Sequence, residues 1–254
     1  MDQQWKKRMP MLCAVLGIVM LAISAAVCIR LELGGPVDRA GVAVMLILFA
    51  VISLVLLWLE GVRRDALLIM LLLIGAAMLV RAFCMDYASG DYTIFLSRWY
   101  GFFHVSNGFE AFSYSVGNYN VPYLYFIAFI SYFDVPDLYL YKLFSILWDV
   151  VLAWGCLRLT RSLTRERQWS IAPLIAFGAV LFLPTVVLNG ALWAQCDVIY
   201  GALAIHAASL LLEGKNKTSV ALMAVAFSFK LQAIFVLPLW GVLWLAKKVK
   251  FREL

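Results

Sequence analysis

The sequence is poor in charge, in histidine and in paired cysteines. Only 14% of its 254 residues are charged and 65% are hydrophobic, whereas about 25% are charged in an ordinary soluble domain. This composition excludes a water-soluble protein, because too little polar surface is left to enclose a core of this size. The two histidines and five cysteines have no metal-ligand spacing, so the sequence predicts neither a zinc site nor a disulfide framework. The chain is therefore predicted to be an integral membrane protein.

Long apolar runs are the main feature of the chain. About 20 helical residues cross the hydrocarbon of a bilayer, and the apolar runs predict about eight spans. The expected fold class is an all-α, polytopic transmembrane helical bundle in which residues 1–254 form a single domain. The predicted spans are residues 11–29, 40–59, 66–83, 138–157, 169–188, 198–212 and 219–246, the last divided into two helices near Lys230.

The net charge of +6 comes from short basic clusters between the apolar runs, which indicates membrane topology rather than a nucleic-acid partner. All clusters are cytoplasmic only if the apolar run 121–133, which is also short for a span, does not cross. The N-terminus and a basic loop at about 158–168 are then cytoplasmic, and one long segment, about 84–137, is external. The clusters are residues 6–8, 63–64, 158–167, 215–217 and 247–250.

The external segment is expected to carry the site, since loops longer than about 15 residues are usually functional. Gly90 and Asp91 open an amphipathic run that predicts an interfacial helix with Asp91 and Arg98 along one flank. The alternative is an acid favoured by the helix dipole and an arginine that snorkels to the interface. Asp86 is a second carboxylate, or only a helix cap. The apolar residues at helical spacing are Tyr92, Phe95, Leu96, Trp99 and Phe103.

A polar and aromatic stretch, residues 117–125, follows this helix. Pro122 is suited to the first turn of the next helix, where its missing N–H costs nothing. Side chains such as Asn120 and Tyr123 could hydrogen-bond and stack on a sugar ring. Tyrosines are equally typical of the interfacial belt of any membrane protein.

Three polar residues lie deeper in the later part of the chain: Asp149 near the middle of the run 138–157, Asp197 directly before the run 198–212, and Lys230 within the run 219–246. An unpaired charge in hydrocarbon costs at least about 2.5 to 3.5 kcal/mol, so each should face a partner or a wet cavity. They are candidates for a functional site. The alternative is an ion pair between helices, such as Asp149 with Lys230 or Arg81. His206, alone on an apolar helix, is predicted to be a hydrogen-bonded packing residue.

Five separated motifs, in this order, resemble the multi-spanning glycosyltransferases of the GT-C superfamily. The closest resemblance is to the bacterial integral membrane proteins related to the GPI-anchor second mannosyltransferase. A more distant one is to the lumenal glucosyltransferases that use dolichyl-phosphate glucose. The motifs are Gly90-Asp91-Tyr92 with Arg98-Trp99, Asn120-Val121-Pro122-Tyr123-Leu124, Tyr141-Lys142-Leu143-Phe144 with Asp149, a stretch at 188–200 that contains Trp193-Ala194-Gln195-Cys196-Asp197, and one at 229–238 that begins Phe229-Lys230-Leu231-Gln232.

The resemblance implies a glycosyltransferase that moves mannose or another hexose from a polyprenyl-phosphate donor to a glycan, glycolipid or protein acceptor. Transfer would invert the anomeric carbon on the non-cytoplasmic face, most simply of a bacterial plasma membrane, with the endoplasmic reticulum as the alternative. The lipid-linked sugar is a co-substrate, and no cofactor is otherwise implied. A divalent ion held by Asp86 and Asp91 is a weaker alternative.

The resemblance also assigns roles to residues. The base is an acid in the first large external loop, which by position is Asp91, with Asp86 in the same substrate site. The cations for the donor phosphate are Arg98, Lys230 and Arg81. The residues for sugar hydroxyls are Asn120, Tyr123, Trp193, Gln195 and Asp197.

The sequence departs from the family in three ways. Ala194 stands where the family usually has Gly, and Val121 stands where it has a second Pro. Such proteins generally continue with several more spans after the helix that carries Lys230, so an inactive, C-terminally truncated fragment is one alternative. A transporter or lipid flippase is another, because broken helices and midplane charges also mark those proteins.

Overall fold

The computed structural model describes residues 3–164 and 171–246, and this part of the chain is helical with no strand. The start of the fifth predicted span, part of the loop at 158–168 and the basic cluster 247–250 lie outside the described residues. The α-helices are α1 Gln3–Ile29, α2 Pro36–Leu59, α3 Arg64–Cys84, α4 Ser97–Val105, α5 Val121–Ile130, α6 Asp137–Thr164, α7 Ile171–Phe182, α8 Pro184–Val187, α9 Asp197–Leu212, α10 Asn216–Phe229 and α11 Pro238–Leu245. Two π-helical turns, Tyr92–Leu96 and Leu188–Leu192, and two 3₁₀ turns, Gly108–Ser113 and Leu231–Val236, complete them.

Four helices are long and apolar enough to cross a membrane, which confirms the membrane-helix prediction in its general form. They are Arg8–Ile29, Pro36–Leu59, Arg64–Cys84 and Asp137–Thr164. A fifth span is counted if α7 and the helical stretch Pro184–Leu192, bent by 46°, are taken as one broken span. The remaining three of the eight expected spans correspond to shorter helices: α9 with 16 residues, α10 with 14 and the apolar stretch Leu231–Leu245.

The predicted break near Lys230 is confirmed. Helix α10 ends at Phe229, and Lys230 is extended, with φ −152° and ψ 129°. The extended residue interrupts the helical hydrogen bonds of the span, so polar backbone and the Lys230 side chain meet at one point.

The first and third helices pack closely through glycines. A Cβ at Gly75 would lie 2.5 Å from the Gly17 carbonyl oxygen, and one at Gly17 would lie 2.5 Å from the Leu71 carbonyl oxygen. Small residues allow backbones of membrane helices to approach in this way. The contact joins α1 to α3 and thereby supports the end of α3, from which the external segment begins.

A buried ion pair joins α3 to α6. The side chains of Arg81 and Asp149 are fully buried, and Arg81 donates to Asp149 Oδ2 from Nη2 at 2.8 Å and from Nε at 3.0 Å. Arg81 Nη1 also donates to the Leu181 carbonyl at 3.0 Å, at the bend where Pro184 interrupts helical pairing. The sequence-based assignment of Arg81 to the donor phosphate is therefore wrong, because its guanidinium is enclosed and fully partnered.

A second buried cation ends α3. The Lys142 side chain, on α6, is fully buried, and its ammonium donates to the carbonyls of Cys84 at 2.5 Å, Met85 at 3.0 Å and Tyr87 at 2.7 Å. A cation is favoured there because the last carbonyls of a helix lack intrahelical donors. Lys142 thus holds the backbone where the segment after α3 leaves the bundle. Sequence reasoning missed this role, although Lys142 lies inside the predicted span 138–157 and in one of the five motifs.

The external segment begins and ends at the same end of the bundle. The Tyr139 hydroxyl, at the start of α6, donates to Asp86 Oδ1 at 2.6 Å, and the Tyr92 hydroxyl donates to Asp137 Oδ1 at 2.8 Å. Helix α5, between them, has only ten residues. This return of the chain agrees with the expectation that the run 121–133 does not cross.

A helix is present where the interfacial helix was predicted, and it begins with a π-helical turn. Tyr92, Leu96 and Phe103 are buried, whereas Phe95 is 43% exposed, because the wider turn shifts the face that the later residues present. The Ser89 hydroxyl accepts the Tyr92 N–H at 3.1 Å. Ser89, and not Asp91, therefore caps this helix.

Candidate functional site

Two adjoining cavities lie where the external segment meets the later helices. The carboxylate cavity, of about 150 Å³, is lined by Asp91 and Gln195 with Phe95, Leu96 and Trp99. The lysine cavity, of about 540 Å³, is lined by Asn120, Phe229, Lys230, Leu231, Gln232, Ile234 and Phe235. Asn118 and Tyr119 line both, so one wall separates a carboxylate from an ammonium.

Asp91 is held at the end of a short hydrogen-bonded chain. The Tyr119 hydroxyl donates to Gln195 Oε1 at 3.2 Å, and Gln195 Nε2 donates to Asp91 Oδ2 at 3.3 Å. No other side-chain hydrogen bond to the Asp91 carboxylate occurs among the described residues. An exposed carboxylate held through one oxygen keeps the other for a ligand hydroxyl.

The hydroxyl of Tyr119 can act as a donor throughout the neutral range. Burial, together with the nearby Cys196 and Asp91, raises the pKa of Tyr119 to about 12. Tyr119 packs edge-on against Trp99, with ring centroids 5.3 Å apart. It is therefore a fixed wall residue whose proton points toward Gln195.

The loop that carries Gln195 is pinned from both sides. The Gln195 carbonyl accepts a hydrogen bond from the Ser145 hydroxyl of α6 at 2.7 Å, and the Gln195 N–H donates to the Asn189 carbonyl at 2.9 Å. The Ser89 hydroxyl donates to the Trp193 carbonyl at 3.1 Å, which ties the loop to the start of the Asp91 helix. The loop follows the bent pair of α7 and α8, and these hydrogen bonds hold it against the segment that carries Asp91.

Ala194, inside this loop, adopts a left-handed conformation with φ +60°. Only glycine reaches that region without steric cost. The departure from the family pattern at this position, Ala instead of Gly, therefore falls on a backbone geometry that glycine fits better. The Ala194 side chain is fully buried, so the loop is held by its packing.

Lys230 and Asp197 form an ion pair beside the lysine cavity. The Lys230 ammonium pairs with Asp197 Oδ1, and Asn189 Nδ2 donates to Asp197 Oδ2 at 3.0 Å. The ammonium also lies 5.7 Å from the centroid of the Tyr119 ring, within cation–π range. Both charged side chains are partly exposed, Lys230 by 21% and Asp197 by 37%.

Four of the residues predicted from sequence line these cavities: Asp91, Asn120, Gln195 and Lys230. Asp197 lines neither cavity but pairs with Lys230. The other four line neither cavity. Tyr123 is 1% exposed and stacks behind Tyr119, while Trp193 and Arg98 are exposed and line neither cavity. Both oxygens of Asp86 are engaged, Oδ1 by the Tyr139 hydroxyl and Oδ2 by the Glu32 N–H, so Asp86 is not free to share a cation with Asp91.

Sequence reasoning missed several residues of the site. Tyr119 and Asn118 lie in the aromatic stretch that was singled out, but nothing in their spacing distinguished them from Tyr123. Asn189 precedes Asp197 by eight residues, and the π-helical turn that brings the two together leaves no sequence signal. His206 hydrogen-bonds the Val151 carbonyl at 3.0 Å, which confirms its predicted packing role.

The chain matches no protein-family model, curated protein or solved structure with which it was compared. The chemistry of the two cavities and the sequence motifs are therefore what indicate a function.

Proposed function

We propose that this chain is a membrane glycosyltransferase of GT-C type that transfers mannose or another hexose from a polyprenyl-phosphate donor. The observation that carries the proposal is the pair of adjoining cavities, one with a carboxylate and one with an ammonium, that share the wall of Asn118 and Tyr119. Sugar transfer from a lipid phosphate needs a base and a cation on either side of one reacting carbon.

The lysine cavity suits the donor. Among the described residues that line it, Lys230 alone is charged, and Asn118, Asn120 and Gln232 supply amides that can donate to phosphate or sugar oxygens. Its rim is apolar and open, with Phe235 80% exposed. This combination fits an anionic headgroup that carries a hydrocarbon chain.

The carboxylate cavity suits the acceptor. An acceptor hydroxyl beside Asp91 would attack the anomeric carbon on the face opposite the phosphate. The new carbon–oxygen bond forms as the bond to the phosphate breaks, the bonding pair leaves with the lipid phosphate, and Asp91 takes the hydroxyl proton. The anomeric carbon is inverted, and its transient positive character is the oxocarbenium-like state of glycosyl transfer.

The proposed membrane arrangement extends the four or five candidate spans to about eight. Helix α9, helix α10 and the stretch Leu231–Leu245 would then cross with the broken helices exposing the cavities on the external side of a bacterial plasma membrane. The N-terminus would be cytoplasmic, following the basic clusters. The acceptor, a glycan, glycolipid or protein, would approach from the water side.

The test is transfer in membranes from cells that produce the chain, supplied in parallel with radiolabelled polyprenyl-phosphate mannose and polyprenyl-phosphate glucose. Asp91→Asn should lower label transfer by about 10²- to 10⁴-fold, because a general base is lost. Asp134→Asn, an equal change at an exposed aspartate of the same segment, serves as the control. Transfer by Asp91→Asn at the wild-type rate would contradict the assignment.

The same experiment separates the proposal from a transporter or flippase. The 46° bend between α7 and the helical stretch Pro184–Leu192 is a feature that such proteins also show. A flippase would move the intact donor across the bilayer without release of polyprenyl phosphate. Donor translocation that is unaffected by Asp91→Asn, with no label transferred, would support that alternative.

A further inference from the structure

Among the described residues that line the lysine cavity, Lys230 is the one cation, and its ammonium already has a carboxylate partner. Lys230 lines the cavity and its ammonium pairs with Asp197, which does not line it. Asp197 is itself held in place by Asn189 Nδ2 at 3.0 Å. The Lys230 ammonium thus has a carboxylate partner and also belongs to a residue that lines the cavity.

We propose that Asp197 is an internal competitor for Lys230, a carboxylate that holds the ammonium until a phosphate group in the cavity takes it over. This inference rests on the proposed phosphate site and names the residue that sets its affinity. It replaces the sugar-hydroxyl role that the sequence motif implies for Asp197.

The partial exposure of the pair makes the exchange feasible. Ion pairs that solvent reaches contribute little to stability, so Lys230 can leave Asp197 at small cost. The Tyr119 ring, 5.7 Å from the ammonium, gives the lysine a second contact that does not depend on Asp197. A fully buried pair such as Arg81 with Asp149 could not exchange in this way, because each charge would be left without solvent.

The chemistry of the cavity selects a phosphate that carries an apolar group. Three amide side chains and one ammonium line the cavity and would contact a bound phosphate. The exposed side chains of Leu231, Ile234 and Phe235 line the same cavity. Inorganic phosphate would use only the polar part, whereas an alkyl phosphate would use both. Binding of the two compounds therefore distinguishes a lipid phosphate from a free one.

The experiment measures binding of hexyl phosphate and of inorganic phosphate to the full chain in detergent micelles by isothermal titration calorimetry. Asp197→Asn keeps the side-chain shape and an oxygen for Asn189 but removes the competing charge. We expect it to tighten hexyl phosphate binding about three- to fivefold, and Lys230→Gln to weaken binding. Asp197→Ser gives a second neutral variant should Asp197→Asn accumulate poorly.

Two controls isolate the pair. Glu110→Gln removes the same charge at an exposed site whose Oε1 accepts Asn107 Nδ2, and it should leave affinity within twofold of wild type. In the Lys230→Gln background, Asp197→Asn should produce no tightening. Equal tightening in that background, or by Glu110→Gln, would reduce the effect to net charge and overturn the proposal.

The remaining outcomes are equally decisive. Unchanged or weaker binding by both neutral variants would overturn the competitor role and favour direct contact of Asp197 with the ligand. If inorganic phosphate binds as tightly as hexyl phosphate, the proposed selectivity for a lipid phosphate is overturned. Tightened binding with no sugar transfer by the wild type would contradict the proposed glycosyltransferase while leaving this inference intact.

Discussion

At the scale of single residues, the backbone at Ala194 is a position where the side chain opposes the conformation. Its φ of +60° lies in the region that costs an L-residue with a Cβ about 1 to 2 kcal/mol. The loop is held nonetheless by the Ser145 and Ser89 hydroxyls, which bond its carbonyls. This strain lies directly between Trp193 and Gln195, so it bears on how rigidly the site is kept.

Ala194→Gly should therefore stabilise the protein. We expect the free energy of unfolding to rise by about 1 kcal/mol, because glycine adopts this conformation without strain. Thermal unfolding in detergent, followed by circular dichroism, measures the change. Ala221→Gly, at an exposed position within α10, should instead lower stability by about 1 kcal/mol, and a loss of stability in Ala194→Gly would contradict the strain argument.

Asp91 illustrates a different residue-scale point, the separation of function from stability. Ser89 accepts the Tyr92 N–H, so the helix start does not depend on the Asp91 carboxylate. Asp91→Asn should leave the free energy of unfolding within about 0.5 kcal/mol of wild type, as is usual for exposed surface substitutions. Ser89→Ala should cost about 1 kcal/mol, because it removes both the cap and the bond to the Trp193 carbonyl. The reverse order of the two effects would contradict the cap assignment.

At the scale of helices, buried cations hold the elements that carry the site. Arg81 links α3, α6 and the bend after α7, while Lys142 closes the end of α3. The first interaction orients the loop 193–197 and the second orients the segment that leads to Asp91. The two halves of the site thus depend on the same helix, α6, which receives Arg81 and supplies Lys142.

Removal of one partner of the buried pair should be far more harmful than removal of both. Arg81→Met leaves Asp149 buried without a counter-charge and should cost about 3 to 5 kcal/mol, whereas Arg81→Met with Asp149→Leu should recover most of that loss. The measurement is the unfolding midpoint of the three proteins in detergent. A double variant as unstable as the single one would contradict the account.

At the scale of the whole molecule, polar contacts gather helix ends in two groups. At one end, Glu60 after α2 accepts Arg161 of α6 at 2.5 Å, and Arg158 of α6 pairs at 2.6 Å with Glu213 after α9. At the other end, Tyr139 joins the start of α6 to Asp86 and to the Leu33 N–H. The first group coincides with predicted basic, cytoplasmic loops, and its orientation remains a prediction.

Cysteine accessibility tests this topology. Ser106→Cys and Asp134→Cys, both in the external segment, should react with a membrane-impermeant maleimide added to intact cells, and Ser162→Cys, near the end of α6, should react only after the membrane is opened. Mass spectrometry of the labelled peptides separates these sites from the five native cysteines. Labelling of Asp134→Cys only from the cytoplasmic side would show that α5 crosses the membrane.

Helical class and membrane insertion follow from composition and local pattern, because hydrocarbon favours apolar helices whatever their neighbours are. The break at Lys230 was predictable for the same reason, since a lysine inside an apolar run disfavours a continuous span. Motifs made of short stretches of adjacent residues identified Asp91, Gln195 and Lys230. Such features depend on separations of a few residues along the chain.

The choice of partner for each charge depended on the folded arrangement. A buried charge is stable only beside a counter-charge, but the sequence does not determine which residue supplies it. Asp149 pairs with Arg81, 68 residues away, and Lys230 pairs with Asp197, 33 residues away. Tyr123 is buried in the core, and Asp86 is bonded to Tyr139. Arg98 and Trp193, which also line neither cavity, each follow a π-helical turn, and such a turn rotates the face of the following residues by a fraction of a turn. Shifts of that size change which face a residue presents without altering the hydrophobic pattern, so they arise only when distant helices pack together.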